Sequence, residues 1–294
     1  MGVRFAKYEG LGNDFIVIDI GGDVPSGVGN AVAEGVPAEV DDVLARALCD
    51  RHRGIGADGV LLLEHKPQLS MRVINADGSR PEMCGNGLRC AALHWVRRGH
   101  AIAGEEFLVE TEAGPHRCRV HSPGGSSTVE VSMRAPSLEA AEIPVIPREG
   151  EHELLDQPFE VDETRVRLSC VSMGNPHGVT FDDLGPAARN KLGPLLEKHT
   201  RFPRGANIGF ARVVAAQSIE LAVWERGVGF TEACGTGACA CAVAAVETGR
   251  VERNQPIEVR LPGGPLHVRV GERGERIAMT GPARHVFDGD YAVE

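Results

Sequence analysis

The chain has 294 residues, enough for two domains of ordinary size, and its 42% hydrophobic and 24% charged residues are those of a soluble globular protein. A net charge of −10 argues against nucleic acid or an anionic membrane surface as partner. No apolar run approaches the ~20 residues of a membrane span. With no signal-peptide core in the opening residues, a cytoplasmic location is expected.

Residues 3–9, the turn Gly10-Leu-Gly-Asn-Asp14 and Phe15–Ile20 predict strand, tight turn, strand, with Asn13 on a loop whose backbone can approach a ligand. Residues 21–42 lack a clear period and read as a surface insertion. A helix follows, capped by Asp41 or Asp42, with Val43–Cys49 as its amphipathic body. Gly54-Ile-Gly-Ala-Asp-Gly59 matches a dinucleotide-binding string, but a helix precedes it and the strand Val60–Leu63 follows it. The order is wrong for a nicotinamide or flavin site.

Leu69–Ile74 is a strand feeding into Asn75-Ala-Asp-Gly-Ser-Arg-Pro-Glu-Met-Cys84-Gly-Asn-Gly, after which Leu88–Arg98 is helical and Gly99 ends it. Residues 107–111 and 116–121 form a hairpin-like pair, 122–127 a turn and 129–133 a strand. Residues 134–160, rich in proline, are the expected crossing between domains. Strand 165–171 ends in Ser172-Met-Gly-Asn-Pro-His-Gly178, and 186–198 is helical. Strands 207–214 and 218–224 lead to Glu225-Arg226. Thr236–Thr248 is a helix, apolar all round and so expected to be buried. Strands near 257–261, 266–270 and 276–280 close the unit.

An offset of 150 residues superposes the chain on itself. Cys84, Gly85 and Gly87 meet Cys234, Gly235 and Gly237, and Gly99 meets Gly249. Val109, Gly114, Pro115, Arg119 and Val120 meet Val259, Gly264, Pro265, Arg269 and Val270. Chance matching of Gly and Pro does not easily produce five identities in the window 107–120. The repeat predicts an α+β fold of two pseudo-symmetric domains from an internal duplication, each a mostly antiparallel, β-barrel-like sheet around a buried central helix. Expected boundaries are 1–133, with 280–294 returning to it, and 134–279.

The eight cysteines (49, 84, 90, 118, 170, 234, 239 and 241) read as free thiols in a cytosolic chain. No Cys-x-x-Cys occurs, so no metal is expected. Each repeat instead sets a cysteine at a helix N-terminus, where the helix end lowers a thiol pKa and Gly-x-Gly amides bind a carboxylate. Two such groups in pseudo-symmetric domains suit a redox pair, a metal site, a covalent hydrolase or an acid–base pair. Only the last needs two near-identical groups, because inversion at carbon treats both faces alike. The four lysines (7, 66, 191 and 198) lie in no suggestive setting for pyridoxal phosphate, so no cofactor is expected.

The motifs Gly10–Phe15, Arg51-His-x-Gly-Ile-Gly-Ala-Asp58, Asn75–Ser79, Met83–Cys90, Gly174-Asn-Pro-His177, Glu225-Arg-Gly227, Ala233–Cys239 and Met279–Phe287, taken in order, resemble the diaminopimelate epimerase family over essentially the whole chain. The resemblance implies a cofactor-independent epimerase interconverting LL- and meso-diaminopimelate in lysine and peptidoglycan synthesis, acting as a homodimer on a small amino-acid substrate. It implies Cys84 and Cys234 as the two bases, with Gly85, Asn86, Gly235 and Thr236 holding the carboxylate at the reacting centre. Asn13, Asn75, Asn175, Asn207, Glu225 and Arg226 would line the rest of the cleft. Arg226 suits a carboxylate and Glu225 an ammonium, and His177 and Glu225 would tune a thiol. Arg80-Pro81, Phe230 and Gly59 depart from the commonest family pattern. A racemase of another amino acid, such as histidine, and a thiol redox or metal-binding protein are the alternatives.

Overall fold

A computed structural model describes residues 2–20, 40–65, 68–121 and 127–292. Most of the expected insertion (21–39) and of the expected turn (122–126) lie outside them. The chain divides into two compact units, Met1–Val131 with Gly281–Glu294, and Ser132–Thr280.

Unit 1 contains β1 (Gly2–Gly10), β2 (Asn13–Asp19), α1 (Asp42–Cys49), β3 (Gly59–Glu64), β4 (Leu69–Asn75), α2 (Gly85–Arg97), β5 (Glu106–Thr111), β6 (Gly114–Val120) and β7 (Ser127–Ser132). Unit 2 contains β8 (Gln157–Val161), β9 (Thr164–Ser172), β10 (Pro176–Thr180), α3 (Pro186–Glu197), β11 (Asn207–Ala215), β12 (Ser218–Glu225), β13 (Gly229–Thr231), α4 (Gly235–Glu247), β14 (Pro256–Leu261) and β15 (Gly264–Arg269). The last strand, β16 (Ala278–Ala292), starts in unit 2 and ends in unit 1.

The fold is α+β. In unit 1 the strands run β1 to β7 in chain order and then β16, which pairs back with β1 and closes an eight-stranded barrel. In unit 2 the order is β16-β15-β14-β12-β11-β10-β9-β8, with β13 on β12. Most pairs are antiparallel. Among the described residues four pairs are parallel, β2–β3, β4–β5, β10–β11 and β12–β14, and each is joined through a helix, as a parallel connection requires. The duplication extends to register: Leu69 pairs with Val109 where Ile219 pairs with Val259, and Glu106 pairs with Arg119 where Pro256 pairs with Arg269.

Each sheet is covered on two faces. α2 contacts β1, β2, β3, β4 and β6, while α1 packs on β3 and β4. This explains the unbroken apolar run of β3. Val60 and Leu62 join the core under α1, and Leu61 turns to α2, where its Cδ2 lies 2.9 Å from the place of a Cβ on Gly87. In unit 2, α4 contacts β9, β10, β11, β12, β14 and β15, and all its residues from Gly237 to Val246 are buried, as the all-apolar stretch predicts. α3 packs against β8, β11 and β12, contributing Leu192 and Leu196 to a core with Phe159, Leu168, Phe202 and Ile208.

Local signals set the helix ends. Asp41 caps α1 by accepting from Leu44 N at 2.8 Å, and Gly99 and Gly249 follow α2 and α4 with φ of 80° and 68°. Three strands escape the sequence pattern. β8 starts at the end of the proline-rich stretch 134–160, β10 has all five residues buried and so lacks alternation, and β13 has only three residues. The strand expected over 276–280 runs on to Ala292 because β1 offers it an edge. Among the described residues, no helix is long and apolar enough to cross a membrane.

Candidate active site: two cysteine-capped helices

In unit 1, Cys84 is the N-cap of α2, with φ −132° and ψ 115°, and its Sγ accepts from Gly87 N at 3.4 Å. The first intrahelical donor is Leu88 N, to Cys84 O at 2.8 Å, so the amides of residues 85 and 86 precede the helical ladder. Asn86 is buried and donates through Nδ2 to Asn13 Oδ1 at 3.2 Å, and Asn13 Nδ2 donates to Asp58 Oδ2 at 2.7 Å. Arg89, wholly buried, donates to Asn86 Oδ1 at 2.9 Å and to Pro282 O at 3.0 Å. The two amide side chains are thereby fixed end to end. Asn75 is at the end of β4, opposite Gly59, where its Nδ2 donates to Ser79 Oγ at 2.9 Å.

In unit 2 Cys234 takes the same N-cap position, without the side-chain cap hydrogen bond. Cys234 precedes α4 with φ −129° and ψ 103°, is 6% exposed, and its Sγ lies 3.7 Å from Thr236 Oγ1. Asn175 Nδ2 donates to that hydroxyl at 3.4 Å, and Asn175 Oδ1 faces His177 Nε2 at 3.0 Å. Since that oxygen only accepts, the proton of the neutral imidazole sits on Nε2. Asn207, opposite His177 in the β10–β11 ladder, accepts from Arg226 N at 2.9 Å and donates to Pro176 O at 3.2 Å. Glu225 Oε1 accepts from Thr231 Oγ1 at 2.5 Å, and the exposed Arg226 donates through Nη1 to Arg204 O at 2.9 Å.

Burial pushes the Cys234 thiol well above its ordinary range, and the Glu225 carboxylate beside it adds to the rise; the Thr236 hydroxyl pulls weakly the other way. The ligand-free thiol therefore carries its proton. His177 is lowered to about 3, first by burial and then by the Arg226 charge, so it is neutral at physiological pH. The sequence-predicted residues of unit 2 thus form one connected set, with His177 linked to the thiol through Asn175 and Thr236. Glu225 and Thr236 both act on the thiol directly.

The second glycine of each Gly-x-Gly makes room. A Cβ on Gly237 would sit 3.1 Å from both Cys234 Sγ and Val223 Cγ2. Gly237→Ala is therefore expected to displace the thiol by a few tenths of an ångström and to lower kcat/KM about tenfold or more. Steady-state kinetics with circular dichroism as a fold control checks this.

A cavity of about 230 Å³ in unit 2 is lined by Leu138, Val243, Glu247, Val270, Arg273 and Ile277, toward the C-terminal end of α4 rather than its cysteine.

A family model described as diaminopimelate epimerase matches residues 5–138 and 169–286. The diaminopimelate epimerase of Desulforudis audaxviator is 44% identical over 292 residues, covering 98% of this chain and 99% of that protein. That of Moorella thermoacetica is 43% identical over 296 residues, covering 99% and 100%. The chain belongs to the diaminopimelate epimerase family. It is accordingly an isomerase. Among solved structures, a hydroxyproline epimerase from Agrobacterium vitis matches with a TM-score of 0.67 at 15% identity, covering 99% of this chain and 93% of that one. A PhzF-family phenazine biosynthesis protein from Bacillus anthracis matches with 0.65 at 13%, covering both chains fully. At these identities the likeness carries the fold alone.

Within the diaminopimelate epimerase family this chain's departures have local explanations. Arg80 is engaged by Asp42 of α1 at 2.7 Å. Phe230 packs its ring edge on Trp224, with centroids 5.2 Å apart. At Gly59 a Cβ would come within 2.9 Å of Ile74 O, so the ladder there requires glycine. Sequence reading missed Asp58, Arg89 and Thr231. Asp58 stood inside a quoted motif and Arg89 inside the Cys84 motif, but their partners lie 45 and 193 residues away.

Proposed function

We propose that this member of the family interconverts LL- and meso-diaminopimelate without a cofactor, moving the α-proton between two thiols, Cys84 and Cys234. The observation that carries the reading is the doubled cap: each unit starts its buried helix at a cysteine followed by glycine amides, within ladders whose register repeats. One cysteine, as thiolate, takes the α-proton and becomes a thiol. The other, as thiol, delivers a proton to the opposite face of the carbanion and becomes the thiolate. Charge and atoms balance, and proton exchange of the two sulfurs with water returns the pair to its starting form.

The amides at Gly85-Asn86 and Gly235-Thr236 stabilise the carboxylate next to the reacting carbon as negative charge develops there. Arg226 takes the distal carboxylate in its planar fork and Glu225 the distal ammonium, with Asn13, Asn75, Asn175 and Asn207 completing recognition. Burial, with the Glu225 carboxylate adding to it, keeps Cys234 protonated, which suits that thiol to begin a turnover as the acid. Homodimerisation and a cytoplasmic setting rest on the family resemblance and belong to the same proposal; sedimentation velocity reads the first of them.

Incubated with LL-diaminopimelate in heavy water, protein dialysed against chelator and given no pyridoxal phosphate is expected to place deuterium on the α-carbon while meso product forms. A requirement for either metal or pyridoxal phosphate overturns the cofactor-free reading.

A further inference from the structure

The turn that carries Glu225 and Arg226 is held by a single carboxylate outside every motif considered so far. Glu197 is the last residue of α3 and is 7% exposed. Its Oε2 accepts from Trp224 Nε1 at 2.7 Å and its Oε1 from Gly227 N at 3.0 Å. Those two donors flank Glu225-Arg226 on either side. Its main-chain carbonyl accepts from Ala206 N at 3.1 Å, immediately before Asn207, whose side chain receives Arg226 N. Trp224 in turn lies flat on α3, since a Cβ on Gly193 would come within 2.8 Å of its ring.

Stability of α3 does not explain an acid there. A carboxylate at the C-terminal end of a helix opposes the helix dipole, and burying it removes its hydration. What the position provides is two acceptor oxygens, each aimed at a group that can only donate.

We propose that Glu197 is a positioning residue for substrate recognition: it fixes the Trp224–Gly227 turn so that Arg226 presents its guanidinium to the distal carboxylate of diaminopimelate. This rests on the role given to Arg226 above. The amide of glutamine has the same shape but would set an NH2 against either the indole N–H or the Gly227 N–H. Glu197→Gln is therefore an isosteric change that removes the clamp.

The test is steady-state kinetics of diaminopimelate epimerisation on Glu197→Gln, Arg226→Ala and the double variant. Arg226→Ala is expected to raise KM about tenfold or more, and Glu197→Gln about fivefold with kcat within about twofold, the pattern of lost uniform binding. The double variant is expected to fall well short of the product of the two single effects, because both changes act on the Arg226 contact. A scaffold residue would not give that saturation. Unchanged KM in Glu197→Gln, or effects that multiply in the double variant, overturns the positioning role while leaving Arg226 in place. Unchanged KM in Arg226→Ala overturns the recognition reading and this proposal with it. Should Glu197→Gln fail to fold, Trp224→Phe decides: it deletes one donor and keeps the ring, and an unaltered KM there overturns the clamp.

Discussion

Cys84→Ala and Cys234→Ala are each expected to lower the rate of interconversion about a thousandfold or more, within the range lost when a positioned acid or base is removed. Isotope exchange is expected to behave differently. Each single variant keeps one thiol, so it can still exchange the α-proton of the one diastereomer presenting that proton to the surviving group. Exchange without inversion, with opposite diastereomer preference in the two variants, is the signature of two bases. A single-base mechanism instead leaves one variant near parental activity. In the double variant exchange is expected to vanish with inversion, and exchange that persists there removes both thiols from the mechanism. Deuterium incorporation read by mass spectrometry, beside a chiral separation of products, measures both rates on one sample.

The stability of unit 2 is expected to fall on the acid side of neutrality, with His177 supplying the largest share. Its folded value of about 3 lies below the ordinary histidine value near 6.5, so the fold favours the neutral ring. A depressed folded value contributes stability that is present above the unfolded value and is lost as pH falls through the window from about 6.5 to 3. Integrated across that window, the loss is on the order of 4 kcal/mol, and between pH 7 and 5 about 2 kcal/mol. His199 in the same unit is also lowered by burial, though it is less enclosed. Asp19, whose carboxylate is held down by His65 and His94 against the opposing effect of burial, acts in unit 1 and only at lower pH. Urea unfolding at pH 7 and pH 5, followed by circular dichroism, checks the slope. His177→Gln keeps a donor for Asn175 Oδ1 but cannot titrate, and its unfolding free energy is expected to be flatter over that interval. An equal loss in parent and variant would assign the acid sensitivity elsewhere.

Much of the fold is legible from local chemistry. Asp41, Gly99 and Gly249 mark helix ends through hydrogen bonding and positive φ, properties of a few adjacent residues. The apolar composition of 236–248 foretells a helix buried on every side, and α4 is one. Strand β10 is harder to see. Pro176-His-Gly-Val-Thr180 is buried throughout and begins at a proline, so it shows neither alternation nor a typical strand composition. Strand β16 is three times its expected length because its second half is paired by β1, some 280 residues earlier in the chain.

By itself the sequence determines that there are two cysteine-capped helices, repeated at one offset, because caps, glycines and hydrophobic period are written in neighbouring residues. Only the tertiary structure decides the state of the groups around them. Cys234 is held protonated and His177 neutral because burial removes the water that would solvate their charged forms. Asn13 is oriented by Asp58, 45 residues away, and the Glu225-Arg226 turn is clamped by Glu197, 27 and 30 residues from its two donors. Desolvation and long-range hydrogen bonds exist only once the chain has folded, so no spacing in the sequence could have specified them.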